Sequence, residues 1–591
     1  MTRRGSKQEL LFPVRAFMPK PYEEGSIYDV LVRFGEALFS RADFPTSDPL
    51  LGGTVGWCPV LLTKLVVLQG THGWTDRETV RRASVDLQVK ACLGMGIEQN
   101  GPSQPTLCRH RQRMQELELD GKYRRRLEAL LVTLELVGKD EAVLIDSVPV
   151  NGAGQQLDTY NLLAAGVRAA LRELALVQDR EVDEVAKEMG LQVYVQRSVK
   201  GRFDVDWSDE ASRLALLRRL VDDAVQARDT LADAKAAEDD DGDDDDGGPP
   251  SAVEIIDDII DHDIDLDEDG QVEGITQRAA GDRLISVTDP DMRNGRKSAS
   301  KRIVGFKAQV VATVMYGFVL LTRLIKANEH DGEQLPGIVD ELRKQGFEPP
   351  WWGGDHAYGT IRNHQFFADD ASRGELVARI ARPANGGRFT KDTFEYDFEQ
   401  KVLTCPAGHS LEKPRWAMRN GRKGRLFVYP NDVCGSCPKR EACVSPKAKG
   451  GRSVFIVERE ERLIRRHLER REEPEFLERL DQRPAVERVI AGFAQCGGKQ
   501  ARRFRMTNVA FDASLSALGY NLRRLGSLCA QDSQLAQRAA EAAEAAARAV
   551  ARALAAVCRP LLALTAWATR LLGSHSRAVA MGTSAPSHRS S

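Results

Sequence analysis

Residues 233–273 hold 19 acidic residues against a single basic one, Lys235. A local charge of −18 repels itself, and the stretch, which includes Gly247-Gly-Pro-Pro250, predicts a disordered or loosely ordered insertion. Any folded core must then be assembled from sequence on both sides of it. The whole chain of 591 residues carries −2, which leaves +16 outside the acidic stretch. A basic body interrupted by an acidic segment points to a nucleic-acid partner. With 42% hydrophobic and 29% charged residues, the chain falls outside the collagenous, wholly disordered and disulfide-dense classes.

The amino terminus, MTRRGSKQELLFPVRAF, has no apolar core of signal-peptide length. No run of about 18 apolar residues occurs. The nearest, from Ala551 to Leu572, is broken by Arg552, Arg559, Pro560 and Arg570 and reads as a soluble helix pair. The expected setting is therefore a reducing cytoplasm, with no membrane partner.

Apolar residues at three-to-four spacing make residues 26–136 helical, as in Ile27, Val30, Leu31, Phe34 and Leu38. Ser103 suits the N-cap of a helix that carries Arg109, Arg111 and Arg113. That basic run is either a DNA-facing helix or a solvated face. Glu141-Ala-Val-Leu-Ile-Asp146 reads as a buried strand ending in a carboxylate, and residues 155–232 return to helix. Phe306–Val314 and Phe318–Ile325 flank Met315-Tyr-Gly317 as a hairpin, and Leu335, Ile338, Val339 and Leu342 mark a helix. Trp351-Trp-Gly-Gly-Asp355 again ends in a carboxylate, and a helix over about 361–371 and a strand at 376–380 follow.

Two carboxylates past strands, Asp146 and Asp355, invite comparison with a third, Glu487, on the helical segment Arg483-Pro-Ala-Val-Glu487. Taken singly, an Asp after a strand is a common turn or cap residue, and a Glu in a basic helix is a common salt-bridge partner. Together, oxygen ligands of this kind suit hard divalent cations such as Mg²⁺ or Mn²⁺. Two such ions about 4 Å apart activate an attacking hydroxyl and stabilise the departing oxygen of a phosphodiester. Arg483, Arg488, Lys499, Arg502 and Arg503 are candidate phosphate contacts.

Cys405, Cys434, Cys437 and Cys443 follow C-x28-C-x2-C-x5-C. Four thiolates without an open position suit a structural, tetrahedral Zn²⁺. The plainer alternative is a ribbon that keeps its cysteines without a stable metal, with His409 a loop residue. Asp265-Leu-Asp-Glu-Asp-Gly270 imitates the start of a calcium loop, but Thr276 stands where a bidentate Glu is required, so it reads as a solvated acidic run.

On these residues the chain resembles the DDE-type insertion-sequence transposases of bacteria. The resemblance is carried by Leu11-Phe-Pro13 and the helical block to Met114, Val143-Leu-Ile-Asp146, Asp289-Pro-Asp291, Gly305-Phe-Lys307, Asp355-His-Ala-Tyr-Gly359, Cys405-Pro-Ala-Gly-His409, Arg483 to Glu487 and Gly519-Tyr-Asn-Leu-Arg-Arg-Leu525. It departs at Leu480, where the related signature has Tyr, and at Ala494, where it has Lys or Arg; Lys499 or Arg502 are the substitutes at hand. The resemblance implies an α/β fold: an RNase H-like mixed-sheet catalytic domain between all-α amino- and carboxy-terminal regions, with a small zinc-ribbon-like insertion.

The implied organisation is a helical DNA-binding region over 1–136 and a catalytic domain beginning at 140–389, with a helical and acidic insertion at 155–285. A cysteine-rich insertion follows at 390–455, a basic helical segment with Glu487 at 456–528, and an alanine-rich helical tail with a disordered end at 529–591. The implied activity is Mg²⁺-dependent cleavage of double-stranded DNA at element ends and joining of the 3′-OH to target DNA. Asp146, Asp355 and Glu487 would be the triad, in a homo-oligomeric complex at the nucleoid. A nuclease that cuts without joining, and a DNA-binding protein that has lost catalysis, remain open alternatives.

Overall fold

The computed structural model describes residues 14–44, 57–195, 200–237, 250–277, 281–297, 300–380, 385–550 and 552. The motif Leu11-Phe-Pro13, the apolar run from 551 onward and the expected disordered end lie outside the described residues. The chain is a mixed α/β protein divided into two compact units. One comprises Met1–Gly138, Gln495–Gly497 and Ser514–Ser591, and the other Lys139–Ala494 and Gly498–Ala513. No helix among the described residues is long and apolar enough to cross a membrane.

The first unit is helical. Its helices Ile27–Leu38, Pro59–His72, Asp76–Val85, Leu87–Leu93, Gln104–Glu116 and Leu119–Thr133 start on side-chain caps where the sequence offers them, including Ser26, Thr75, Asp86 and Ser103. Pro59–His72 is apolar on all sides and is buried from Pro59 to Thr71, which makes it the centre of this unit. It lies against the carboxy-terminal part of the long helix Met506–Gln531. There Gly519 leaves no room for a side chain, since an added Cβ would stand 2.2 Å from Thr71 Oγ1.

The second unit is built on a mixed sheet. In chain order its strands are β1 (Val143–Asn151), β2 (Ile264–Leu266), β3 (Val272–Ile275), β4 (Arg293–Arg296), β5 (Arg302–Thr313), β6 (Val319–Lys326), β7 (Trp351–Gly353) and β8 (Glu375–Val377). The main sheet has the order β4-β5-β1-β7-β8, with β6 also pairing with β5; β2 and β3 form a separate hairpin. β5 runs antiparallel to β1, placing Asp146 opposite Val310, whereas β7 runs parallel to β1 and β8 parallel to β7. The β5–β6 hairpin and the helix Leu335–Lys344 agree with the sequence reading.

Strand β1 does not stop at Asp146, as the sequence suggested, but continues to Asn151. Its pairing with β7 is confined to Val143 and Leu144, so from Ile145 to Val150 it pairs with β5 alone. A strand bonded on one side tolerates Pro149. The helix Ile361–Ala368 and strand β8 are each shorter than expected.

The acidic stretch also departs from expectation. Residues 238–249 lie outside the described residues, but most of the rest is folded. Ser251 caps the helix Ala252–Asp263 in a reciprocal box with Glu254. Ile255, Ile256 and Ile259 are buried against the helices Thr159–Val177 and Glu210–Ala236, in a core cluster that belongs to this insertion. Asp257, on the outer side, pairs with Arg228 at 2.8 Å. Mean charge concealed a helical period of apolar residues. The imitation calcium loop is the turn of the β2–β3 hairpin, in which Asp267 Oδ1 accepts from the backbone N–H groups of Asp269 and Gln271.

Two small sheets follow. The first contains β9 (Glu395–Tyr396), β10 (Leu403–Thr404) and β11 (Ser410–Leu411). The second contains β12 (Arg415–Arg419), β13 (Arg422–Val428) and β14 (Ser453–Ile456). Phe394, Tyr396, Phe427 and Tyr429 form their joint core together with Cys434 and Cys443. Three helices come next: Glu458–Arg470, Pro474–Asp481 and Pro484–Phe493. Phe476 and Val486 pack on Leu144, Trp351 and Val377 of the main sheet, which docks these helices beside β1.

Candidate active site

That docking brings distant carboxylates together. Val486 is fully buried against the sheet, and the next residue, Glu487, emerges on the exposed side of the helix Pro484–Phe493. Glu487 pairs with Arg483 at 3.4 Å, one helical turn earlier. Asp146 lies midway along β1 and accepts from the N–H of Ser147 at 2.7 Å. Asp355, two residues past β7, accepts from the N–H of Ala357 at 2.9 Å. All three acids, with Arg483, line one cleft of about 1020 Å³.

Burial lifts the carboxyl of Asp146 to about 6, and the negative charge of Asp355 adds to the effect; Ser147 N–H, Lys297 and Arg483 act the other way. Tyr358 is completely buried, and its hydroxyl is held well above its usual range by that burial and by the charges of Asp331, Asp146 and Asp355. The cleft is thus a place where negative charges are crowded and poorly solvated. Oxygen donors of one sign, only partly offset by the nearby Lys297 and Arg483, fit a hard divalent cation. As they stand, no three His, Cys, Asp or Glu side chains among the described residues form a set that could hold a metal ion.

The cleft contains residues that sequence reasoning missed. Asp331 accepts from Ser147 Oγ at 2.6 Å and pairs with Lys307, while Gln309 donates to its backbone carbonyl at 2.6 Å. It follows β6 in an irregular turn, and nothing in its surroundings in the sequence marks it as a site residue. Lys307 and Tyr358 belong to segments singled out by the resemblance, but without a role. Arg296, Lys297 and Arg302, from the β4–β5 hairpin, add cationic side chains to the lining of the same cleft. Alternate basic residues in a strand are usually solvated, so sequence alone gave them no direction.

The remaining candidates divide. Lys499 is exposed and sits beside the end of β1, since Asn151 N–H donates to its carbonyl at 2.9 Å. Arg488 is exposed and Arg502 half-buried. Arg503 is engaged with Asp512 at 2.8 Å and with Asn508, which anchors the start of the long helix. Asp289 and Asp291 accept from the N–H groups of Arg505 and Met506, capping that same helix from a distant loop. Leu480, at the departing position, packs into the apolar contact below the cleft.

In the first unit, Ser103 caps the helix Gln104–Glu116 as expected, but its three arginines do not share a face. Arg109 is exposed, and Arg113 is half-buried and bound to Glu116 at 2.9 Å. Arg111 points inward: it is 8% exposed and donates to both oxygens of Asp76, at 2.6 and 3.0 Å. The Arg111 guanidinium holds the Asp76 carboxyl well below the usual carboxylate range. The expected DNA contact at Arg111 is therefore corrected to a structural ion pair, because Asp76, unrecognised in the sequence, meets it inside the unit.

Cys405, Cys434, Cys437 and Cys443 line one small cavity together with His409 and Tyr429, and all four are free thiols. Burial pushes the Cys443 thiol up, Arg452 opposes this, and the other three cysteines add to the rise. The donor set suits zinc, although the side chains are not arranged here as a closed ligand set.

Comparison with known proteins gives two segments. Residues 404–526 match the family model described as Transposase DDE domain, and residues 28–113 match the Transposase domain (DUF772). Glu487 and the four cysteines fall within the first match, and Arg109, Arg111 and Arg113 within the second, whereas Asp146 and Asp355 lie outside both. No curated protein matches the chain. The two matched segments support a transposase role, and with it the placing of this chain among the insertion-sequence DDE transposases.

Proposed function

We propose that the protein cuts double-stranded DNA at element ends and joins the exposed 3′-OH to target DNA, with Asp146, Asp355 and Glu487 as its acidic triad. The observation that carries this reading is the convergence of the three carboxylates on one cleft that is also lined by cationic side chains. The order of β6, β5, β1, β7 and β8, with β5 antiparallel to β1, supports an RNase H-like catalytic domain.

Asp146 and Asp355 would hold divalent cations, Mg²⁺ or Mn²⁺, between them, and Glu487 would complete the set. When bound, such ions lower the pKa of an attacking hydroxyl and neutralise the departing oxygen. The protein's own part is positioning. Lys297, Arg302 and Arg483 attract and orient the phosphodiester along the cleft. Lys307 and Ser147 hold Asp331 in place, which keeps a fourth negative charge beside Asp146 and favours recruitment of cations. Arg483 steers Glu487 until DNA competes for its guanidinium.

The four cysteines would bind a structural zinc that staples the segment between β10 and β14. The first unit would recognise element ends, with the exposed Arg109 among its contacts. Joining two ends requires at least two protomers in the active complex. The distinguishing experiment incubates the protein with Mg²⁺, an end-bearing fragment and a target plasmid. Covalent fragment–plasmid products support transposition; cut fragments without joined products would reduce the reading to a nuclease.

A further inference from the structure

The hairpin of β12 and β13 stands out from its sheet. Trp416 is 64% exposed and Met418 63%, both on β12, the edge strand of the order β12-β13-β14. Large apolar side chains so exposed mark an interaction surface when they cluster. In the register, Trp416 lies opposite Arg425 and Met418 opposite Lys423, so these four share one face. The turn between the strands, Asn420-Gly421, takes two positive φ values, 50° and 71°, which gives a tight two-residue reversal and a narrow tip.

The charge of the ribbon is of one sign. From Lys413 to Arg425 there are six cationic residues and no acid. Arg422 and Arg425 are spent on Glu460 and Glu458, at 3.1 and 3.0 Å, and these pairs fasten the ribbon to the helix Glu458–Arg470. Lys413, Arg415, Arg419 and Lys423 are exposed and form no ion pair among the described residues. Lys423 and Arg425 lie over the Trp416 ring, at 5.4 and 5.2 Å. The ribbon is thus fastened along β13 by two arginines and presents four uncompensated cations: Lys423 on the face of the exposed indole and thioether, Arg415 and Arg419 on the other face of β12, and Lys413 just before it.

We propose that this ribbon, Lys413 to Arg425, is a second contact for double-stranded DNA, separate from the acidic cleft. A two-stranded ribbon fits the major groove, the cations answer the phosphates that flank it, and Trp416 and Met418 supply the apolar contact with base edges. A protein partner would have to match cations on both faces of the ribbon with acidic residues of its own; a DNA groove brings phosphates along both of its edges. The inference rests on the reading of the protein as a DNA-processing enzyme.

Its test uses the full chain and a duplex of about 30 base pairs, long enough to span several grooves. Binding is titrated across a salt series for the wild type, Trp416→Ala/Met418→Ala and Arg419→Glu/Lys423→Glu; the anchoring Arg422 and Arg425 are left intact. The apolar variant is expected to bind roughly tenfold more weakly, with its salt slope kept. The charge variant is expected to flatten the slope by about one for each cation removed. Thermal melts with and without Mn²⁺ report whether each variant keeps its fold and its acidic cleft. If the wild type binds duplex and both variants bind with the same affinity and slope, the ribbon assignment is overturned while the DNA-processing reading stands. If the wild type binds no duplex, both fall. Unchanged DNA binding with loss of self-association in light scattering would overturn the ribbon assignment in favour of a second copy pairing along β12.

Discussion

Asp355 disfavours the charge of Asp146: burial raises the Asp146 carboxyl to about 6, and the negative charge of Asp355 reinforces that rise. Both acids line the cleft with Glu487. An arrangement that strains without a counter-ion should respond to one. Adding Mn²⁺ to metal-free protein is therefore expected to raise its melting temperature by several degrees, as any ligand of the folded state does. Asp146→Asn and Asp355→Asn should each abolish most of that rise. A variant that gains as much as the wild type would remove those carboxylates from the metal site.

Arg111, buried, and Asp76, half-buried, form a two-point ion pair in the first unit. Removing the arginine leaves a partly solvated carboxylate without its partner, at a cost of about 1–3 kcal/mol. Arg111→Ala should therefore lower the denaturant midpoint strongly, whereas Arg109→Ala should change stability by less than about 0.5 kcal/mol and act on DNA binding alone. Equal stability of the two variants in urea titrations would contradict this division.

His364 and His467 lie against each other in the second unit, with ring centroids 4.7 Å apart and the rings tilted by 58°. His364 Nε2 lies 3.0 Å from the Ala378 carbonyl, and His467 Nε2 accepts from Ile380 N–H at 3.3 Å. Burial lowers each to about 4; His467 adds to this for His364, and Arg471 and Arg470 do so for His467. A base whose folded pKa lies below its unfolded value of 6.5 charges more readily in the unfolded chain. Its stabilisation is thus complete above pH 6.5 and is lost as pH falls toward 4. The wild type should lose on the order of 3 kcal/mol for each histidine across that window. His364→Gln/His467→Gln should flatten the profile, as read by melts at successive pH values.

The four cysteines that share a cavity should carry stoichiometric zinc in protein purified without chelator. Elemental analysis should find it in the wild type and not in Cys434→Ser/Cys437→Ser, whose melting temperature should fall as well. Metal-free wild-type protein with an unchanged melting temperature would leave the cysteines as core residues.

What the sequence disclosed depended on whether the signal was local. The β5–β6 hairpin and the helix through Leu335 and Leu342 were legible because their periodicity and turn residues are contiguous. The three acids were legible only as a set, through their order along the chain. Asp331 was not, because its significance arises from Ser147 and Lys307, which only the folded sheet brings to it. The inward turn of Arg111 was equally hidden, since Asp76 sits on another helix. In the acidic stretch, the density of charge masks the spacing of Ile255, Ile256 and Ile259 that folds it.

The most direct measurement is Mg²⁺-dependent cleavage of a plasmid bearing the DNA that flanks the coding sequence, by the wild type and by Asp146→Asn, Asp355→Asn and Glu487→Gln. DNA binding and melting are followed in parallel. Each substitution should lower the cleavage rate by about a thousandfold or more while binding persists, as expected when metal-assisted charge stabilisation is lost. Cleavage that survives any of the three substitutions, or a wild type that binds these ends and never cuts them with Mg²⁺ or Mn²⁺, would contradict the account.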